Sequence, residues 1–109
     1  MMQVSEVTWS QAEDEVAKAA FMRAYERETN ALIQEVNEQT GMITELNQVW
    51  RLHDFLSARR HEIDGKYDYR YPVLVFVLAR LVKEGWLDLH ELDGLEPDKL
   101  TKVAALTRM

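Results

Sequence analysis

One stripe of side chains constrains this chain more than anything else in it. Leu32, Val36, Ile43 and Leu46 recur at alternating four- and three-residue steps, with Gln39 the one polar member between them. A neighbouring row, Met42, Val49, Leu56 and Ile63, repeats at seven-residue steps. Both rows have the period of an amphipathic α-helix with a single apolar seam, and neither has the two-residue alternation of a half-buried strand. Continued without a change of phase, the first row carries Trp50, His53, Ser57 and Arg60, so the seam turns polar while its neighbour stays apolar. Polar groups on an otherwise apolar face are costly unless they are hydrogen-bonded or paired. Arg60 lies ten residues beyond Trp50, roughly 15 Å along a helix axis, so a guanidinium stacked on that indole must come from another segment or another chain. Trp50 to Arg60 is therefore an interface candidate; the plain alternative is a solvated helix end with both side chains half exposed.

The helix that carries the stripe has a readable start. Ser10 and Glu13 have capping-box spacing, and Glu13, Asp14 and Glu15 suit the positive end of a helix dipole. Gln11 to Glu28 is rich in Ala and Glu, both good helix formers. Nothing from Ser10 to Arg60 forbids one helix of roughly 75 Å. Gly41, with Thr40 before it, could instead end one helix and open a hairpin. A glycine inside a helix costs only about 1 kcal/mol relative to Ala, and the heptad phase is kept across it, which favours a continuous helix.

That length has a consequence for assembly. After a turn at Gly65, the rest of the chain supplies one apolar helix, enough to cover roughly 20 Å of the rod. An exposed apolar stripe of the remaining size marks association, most commonly as a two-fold dimer using the same patch on both chains. The expected contact set is Ile43, Leu46, Val49, Trp50, His53, Leu56 and Arg60. In an antiparallel pair with its axis near Phe55, Trp50 would face the second chain's Arg60, and His53 would face Ser57.

Beyond the rod, Tyr67 to Pro72 marks a boundary, and a helix is expected from Asp68 or Pro72 to Glu84. The run Val73 to Leu78 is β-branched enough for a strand, but its continuation through Ala79, Leu81 and Val82 to a glycine cap at Gly85 reads as helix. Asp88 and Glu91 repeat the capping-box spacing for a short helix stopped by Gly94. Pro97 then opens a last helix with Leu100, Val103, Ala104 and Thr107 along its inner side. The expected fold is all-α: one domain over residues 1–109, with a dimerisation helix at 10–60 and a compact head of three shorter helices at 68–109.

Composition removes several functions. The net charge of −6 argues against a general nucleic-acid or anionic-membrane binder, since phosphate contact needs a basic excess. The absence of cysteine removes disulfides, thiolate zinc sites and a Cys nucleophile together. No apolar run approaches the roughly 20 residues of a spanning helix, and Met1 to Glu6 lack the apolar core and basic flank of a signal peptide; a cytoplasmic protein is expected. No cofactor is expected. His53 and Asp54 are neighbours that do not share a helix face, and His61 with Asp64 is too small a set for a metal. Asp64 to Asp68 lacks the alternating ligands of a calcium loop, and no Gly-rich phosphate cradle is present. Arg59, Arg60, His61, Lys66, Tyr67, Arg70 and Tyr71 form a basic cluster with interleaved aromatics, which is the one argument for a helical nucleic-acid-binding regulator. Asp54, Glu62, Asp64 and Asp68 interrupt it.

The wording of the central stretch is specific. Trp50-x-Leu52-His53-Asp54-Phe55-Leu56-Ser57 followed by His61-Glu62-Ile63-Asp64-Gly65-Lys66-Tyr67-Asp68, with Trp9-Ser10-Gln11-Ala12-Glu13 and the segment from Phe76-Val77 to Lys83-Glu84-Gly85, resembles the cyanobacterial fluorescence recovery protein family along nearly the whole chain. The resemblance implies a small all-helical homodimer that is not an enzyme. It would bind the C-terminal domain of the photoactivated orange carotenoid protein, promote its release from the phycobilisome, and speed its return to the resting orange form. By the same resemblance, Trp50, His53, Asp54 and Arg60 match positions associated with activity and with the dimer contact. Phe76 and Lys102 match positions implicated in carotenoid-protein binding. Read from its helix alone, Phe76 is a core aromatic, and Lys102 is a solvated charge. Val49 stands where a leucine is expected, and Tyr71-Pro72 varies the helix start. A generic helical adaptor dimer is the other reading the pattern allows.

Overall fold

The opening cap forms as its spacing predicts. In the computed structural model, which describes residues 8–109, the Ser10 hydroxyl accepts the Glu13 amide proton at 3.1 Å, and the Glu13 carboxylate accepts the Ser10 amide proton at 3.1 Å. Helix α1 runs Gln11–Thr40. Ala17, Ala20, Phe21 and Ala24, at helical spacing, form its buried face, and the three alanines let the segments that follow approach its backbone closely. The signal-peptide expectation rests on Met1 to Glu6, which lie outside the described residues. No helix among the described residues is long and apolar enough to cross a membrane.

The single rod from Ser10 to Arg60 does not form. Helix α1 stops at Thr40, and a second helix, α2, runs Leu46–Lys66. Gly41 keeps helical torsions, with φ −68°, so the chain leaves the helix over Met42 to Glu45. There Ile43 and Thr44, both β-branched, lose side-chain freedom in a helix, and a strong restart signal competes with continuation. The Gln48 side-chain oxygen accepts the amide protons of Thr44 at 2.8 Å and Glu45 at 2.9 Å. The turn sends α2 back antiparallel along the second half of α1, so that Leu52 and Phe55 lie near Gln39, and Leu56 and Ile63 near Leu32. One chain thus half-covers its own seam, a gain that periodicity does not register. The longest dimension is 59 Å, short of the rod expected. Gly65 is not the turn either: α2 passes through it and ends at Lys66, whose ammonium is drawn into a buried ion cluster.

The chain crosses to the head through Tyr67 to Arg70. The Tyr67 and Tyr69 rings pack edge-on against Phe21, with centroids at 5.4 and 5.0 Å. Helix α3, Tyr71–Lys83, has Pro72 in its first turn, and the β-branched run is helical as expected. It closes at Gly85, φ +88°, where the Trp86 amide donates to the Leu81 carbonyl and the Gly85 amide to the Val82 carbonyl. That pairing needs a left-handed residue between the two bonds. A short 3-10 helix, Leu89–Leu92, follows, and Gly94 turns the chain into α4, Pro97–Thr107. Leu74, Leu78, Leu81, Leu92 and Val103 are fully buried and pack with the alanine face of α1. The head therefore contains the three shorter helices expected, with the first half of α1 as its fourth wall.

Candidate partner-binding surfaces

The seam on α2 remains largely uncovered in the single chain. Ile43 and Leu56 are half-buried, whereas Leu46, Val49, Trp50, His53 and Arg60 are exposed, Trp50 by 57%. His53 Nδ1 lies 3.3 Å from Asp54 Oδ1 with both side chains mostly in solvent. These neighbours do touch, contrary to the expectation from helix geometry, because both side chains are free to swing at the surface. Asp54 makes this contact and, among the described residues, forms no ion pair with Arg51 three residues back. Arg60 lies 3.8 Å from Asp64, one turn on. A bare indole next to solvated ions makes this face a candidate contact surface.

The basic cluster at the end of α2 is internally neutralised. Lys66 is buried against Glu28, Arg59 contacts Glu28 and Glu62, Arg60 contacts Asp64, and Arg70 pairs with Asp68 at 2.6 Å. Cations so occupied make no continuous track for a phosphate backbone. Among the described residues no three His, Asp or Glu side chains converge as metal ligands.

The head brings Phe76 and Lys102 together. Val75 and Val77 are buried, yet Phe76 between them is 59% exposed, which overturns its reading as a core aromatic. It borders a cleft of about 250 Å³ whose walls are Tyr71, Pro72 and Val75 from α3 and Asp98, Lys99 and Lys102 from α4. On its other side Phe76 borders a groove with Ala79, Arg80, Lys83 and Leu106. The first cleft rests on a frame that periodicity did not reveal. Tyr71 stacks on Trp9 at 5.8 Å between centroids, and the Lys99 ammonium sits 4.8 Å from the Trp9 ring centre while bonding Glu13 at 3.0 Å and the Thr8 carbonyl at 2.7 Å. Asp14 accepts both the Tyr69 hydroxyl at 2.8 Å and the Tyr71 hydroxyl at 2.9 Å. These two bonds, Tyr69 first, hold the Asp14 carboxyl below its ordinary range. Burial raises the Glu13 pKa, but the Glu96 and Ser10 amides and the Lys99 ammonium outweigh it and keep the carboxyl charged. The available signal was the two-residue spacing of Tyr67, Tyr69 and Tyr71, an extended segment presenting aromatics to one side.

A family model described as photoprotection regulator fluorescence recovery protein matches residues 9–107. The chain belongs to the fluorescence recovery protein family. It is 50% identical over 109 residues, the full length of both chains, to the fluorescence recovery protein of Synechocystis sp.. The solved structure of the Fremyella diplosiphon fluorescence recovery protein is 65% identical, with TM-score 0.91 over 94% of this chain and 100% of that one. The solved Synechocystis fluorescence recovery protein is 51% identical with the same TM-score and coverage. The all-α fold is that of the fluorescence recovery proteins, a family described as photoprotection regulators.

Proposed function

We propose that the protein is a non-enzymatic regulator of the orange carotenoid protein. It binds the C-terminal domain of the photoactivated form, promotes its detachment from the phycobilisome, and accelerates its return to the resting orange form, which ends non-photochemical quenching. Membership of the family across residues 9–107 carries this reading. Phe76, left 59% exposed beside Lys102, supports it: aromatic side chains are enriched in the cores of protein interfaces. The regulator acts as a homodimer through the uncovered α2 seam, in the cytoplasm near thylakoid-attached phycobilisomes.

The task is a change of rate in a partner with two states. Accelerating a thermal return requires binding the crossing point between those states more tightly than the activated form; equal preference for every state does nothing. Weaker hold on the resting form than on the activated one frees the regulator for another partner. The test is size-exclusion chromatography of this chain with orange carotenoid protein, in the dark and under blue-green light. Co-elution under illumination alone is expected, and separate elution in both conditions contradicts the proposal.

A further inference from the structure

Where α2 meets the head, six side chains close a ring of alternating charge. Glu28 on α1 accepts the Lys66 ammonium at 2.8 Å and the Arg59 guanidinium at 3.2 Å. Lys66 donates onward to Glu84, the C-cap of α3, at 2.7 Å, and the second Glu84 oxygen accepts Arg80 Nε at 2.8 Å. Arg80 reaches Glu62 at 3.4 Å, and Glu62 closes the circuit on Arg59 at 3.6 Å. The Tyr67 hydroxyl donates to the remaining Glu28 oxygen at 2.7 Å. The inner edge is dry, with the Lys66 and Glu28 side chains 1% and 2% exposed, while Arg80 and Glu62 on the outer edge face solvent. Ile63 and Lys66 are the buried residues of α2, so this ring is its firmest attachment.

Stability alone does not account for such a ring. Desolvating two opposite charges costs enough that an apolar pair of similar volume serves as well or better. What charge-assisted hydrogen bonds add is direction: apolar contacts tolerate sliding, and bonds of fixed length and angle do not. Here direction matters because α2 carries the Trp50 to Arg60 face, and α3 carries Phe76 one turn before Arg80. We infer that Glu28, Lys66 and Glu84 are positioning residues for partner binding: they lock α2 to the end of α3, so that the Trp50 to Arg60 face and the Phe76 groove stand at one fixed separation. The link to partner binding rests on the function proposed above; the lock itself does not.

The chain lacks cysteine, so thiols introduced as Ala58→Cys, exposed on α2 away from the seam, and Ala105→Cys on α4 take spin labels cleanly. Dipolar distance measurement on full-length protein, diluted with unlabelled copies, reads the placement of α2 directly. With the ring intact, a single narrow distance is expected. The double variant Glu28→Leu, Lys66→Met should keep its melting temperature within a few degrees, broaden that distance distribution, and slow assisted recovery of the orange form about ten-fold. A narrow, unshifted distribution in the double variant overturns the inference. Should that variant fail to fold, Glu84→Gln together with Glu62→Gln removes both ionic legs between α3 and α2 and leaves Glu28 paired with Lys66. Broadening there supports the lock, and an unchanged distribution overturns it. If the unaltered protein has no effect on the carotenoid protein, the functional reading falls, and the distance measurement still decides the lock.

Discussion

Phe76 and Leu78 sit two residues apart on α3 and should fail in opposite ways when cut to alanine. Phe76 keeps 59% of its surface in water. Full burial of such a side chain is worth about 3 kcal/mol at most, so its partial burial stabilises the fold by about 1 kcal/mol. Leu78 is fully buried, and its truncation should cost about 3 to 5 kcal/mol, transfer and cavity terms together. Partner affinity should reverse the order. An exposed aromatic that anchors an interface contributes about 2 kcal/mol or more, roughly a 30-fold loss of affinity on removal. Urea denaturation followed by far-ultraviolet circular dichroism gives the stabilities. Titration of continuously illuminated orange carotenoid protein gives the affinities, measured for Leu78→Ala where it is still folded. If Phe76→Ala destabilises by more than about 2 kcal/mol, or binds within about three-fold of the unaltered protein, the assignment of Phe76 to the surface and to the partner is wrong.

The two left-handed glycines should separate backbone strain from crowding. At Gly85, φ +88°, an added methyl would meet open space, whereas at Gly94, φ +114°, a Cβ would stand 2.8 Å from Val16 Cγ2. Gly85→Ala should therefore cost about 1 to 2 kcal/mol from torsion alone, and Gly94→Ala about 1 to 3 kcal/mol more, part of it recovered by Val16→Ala; equal urea midpoints for the two single variants would remove the crowding argument. The Arg27 bond, then the Asp88 amide, hold the Glu91 carboxyl down from 4.5 to about 2. Because the folded pKa is the lower one, the stability Glu91 adds is fully present above about pH 4.5 and is lost as pH falls toward about 2. Arg27→Gln should flatten the fall of melting temperature across that window, and an unchanged slope would show that other carboxylates cause it. Val49→Glu places a charge in the α2 seam and should shift a dimer toward monomer by size-exclusion with light scattering; an undiminished dimer would remove this seam as the contact.

The readable parts of this fold were those decided within a few residues. Ser10 with Glu13, the glycine at Gly85, Gly94 and Pro97 each set a boundary through a local hydrogen bond or torsion, and each boundary forms. The break after Thr40 was not readable that way. Its residues keep the heptad phase, and the decision turns on what α2 gains by folding back onto Leu32 and its neighbours, a tertiary term. Phe76 illustrates the same limit: a run of apolar residues around it says helix and core, but one position in the run faces outward. Glu28, Lys66 and Glu84 are each ordinary in their own segments, and only their convergence from three elements joins them in one ion cluster. On α2 the sequence pattern singles out Trp50, His53 and Arg60, and the single chain leaves all three exposed.

The most direct test is the dark decay of photoactivated orange carotenoid protein, followed by absorbance, with this chain added at a small fraction of the carotenoid protein's concentration. A regulator that prefers the crossing point and then lets go should accelerate recovery of the entire population, many partners per dimer. A recovery rate equal to that without the protein, or acceleration that stops after one partner per dimer, would contradict the account.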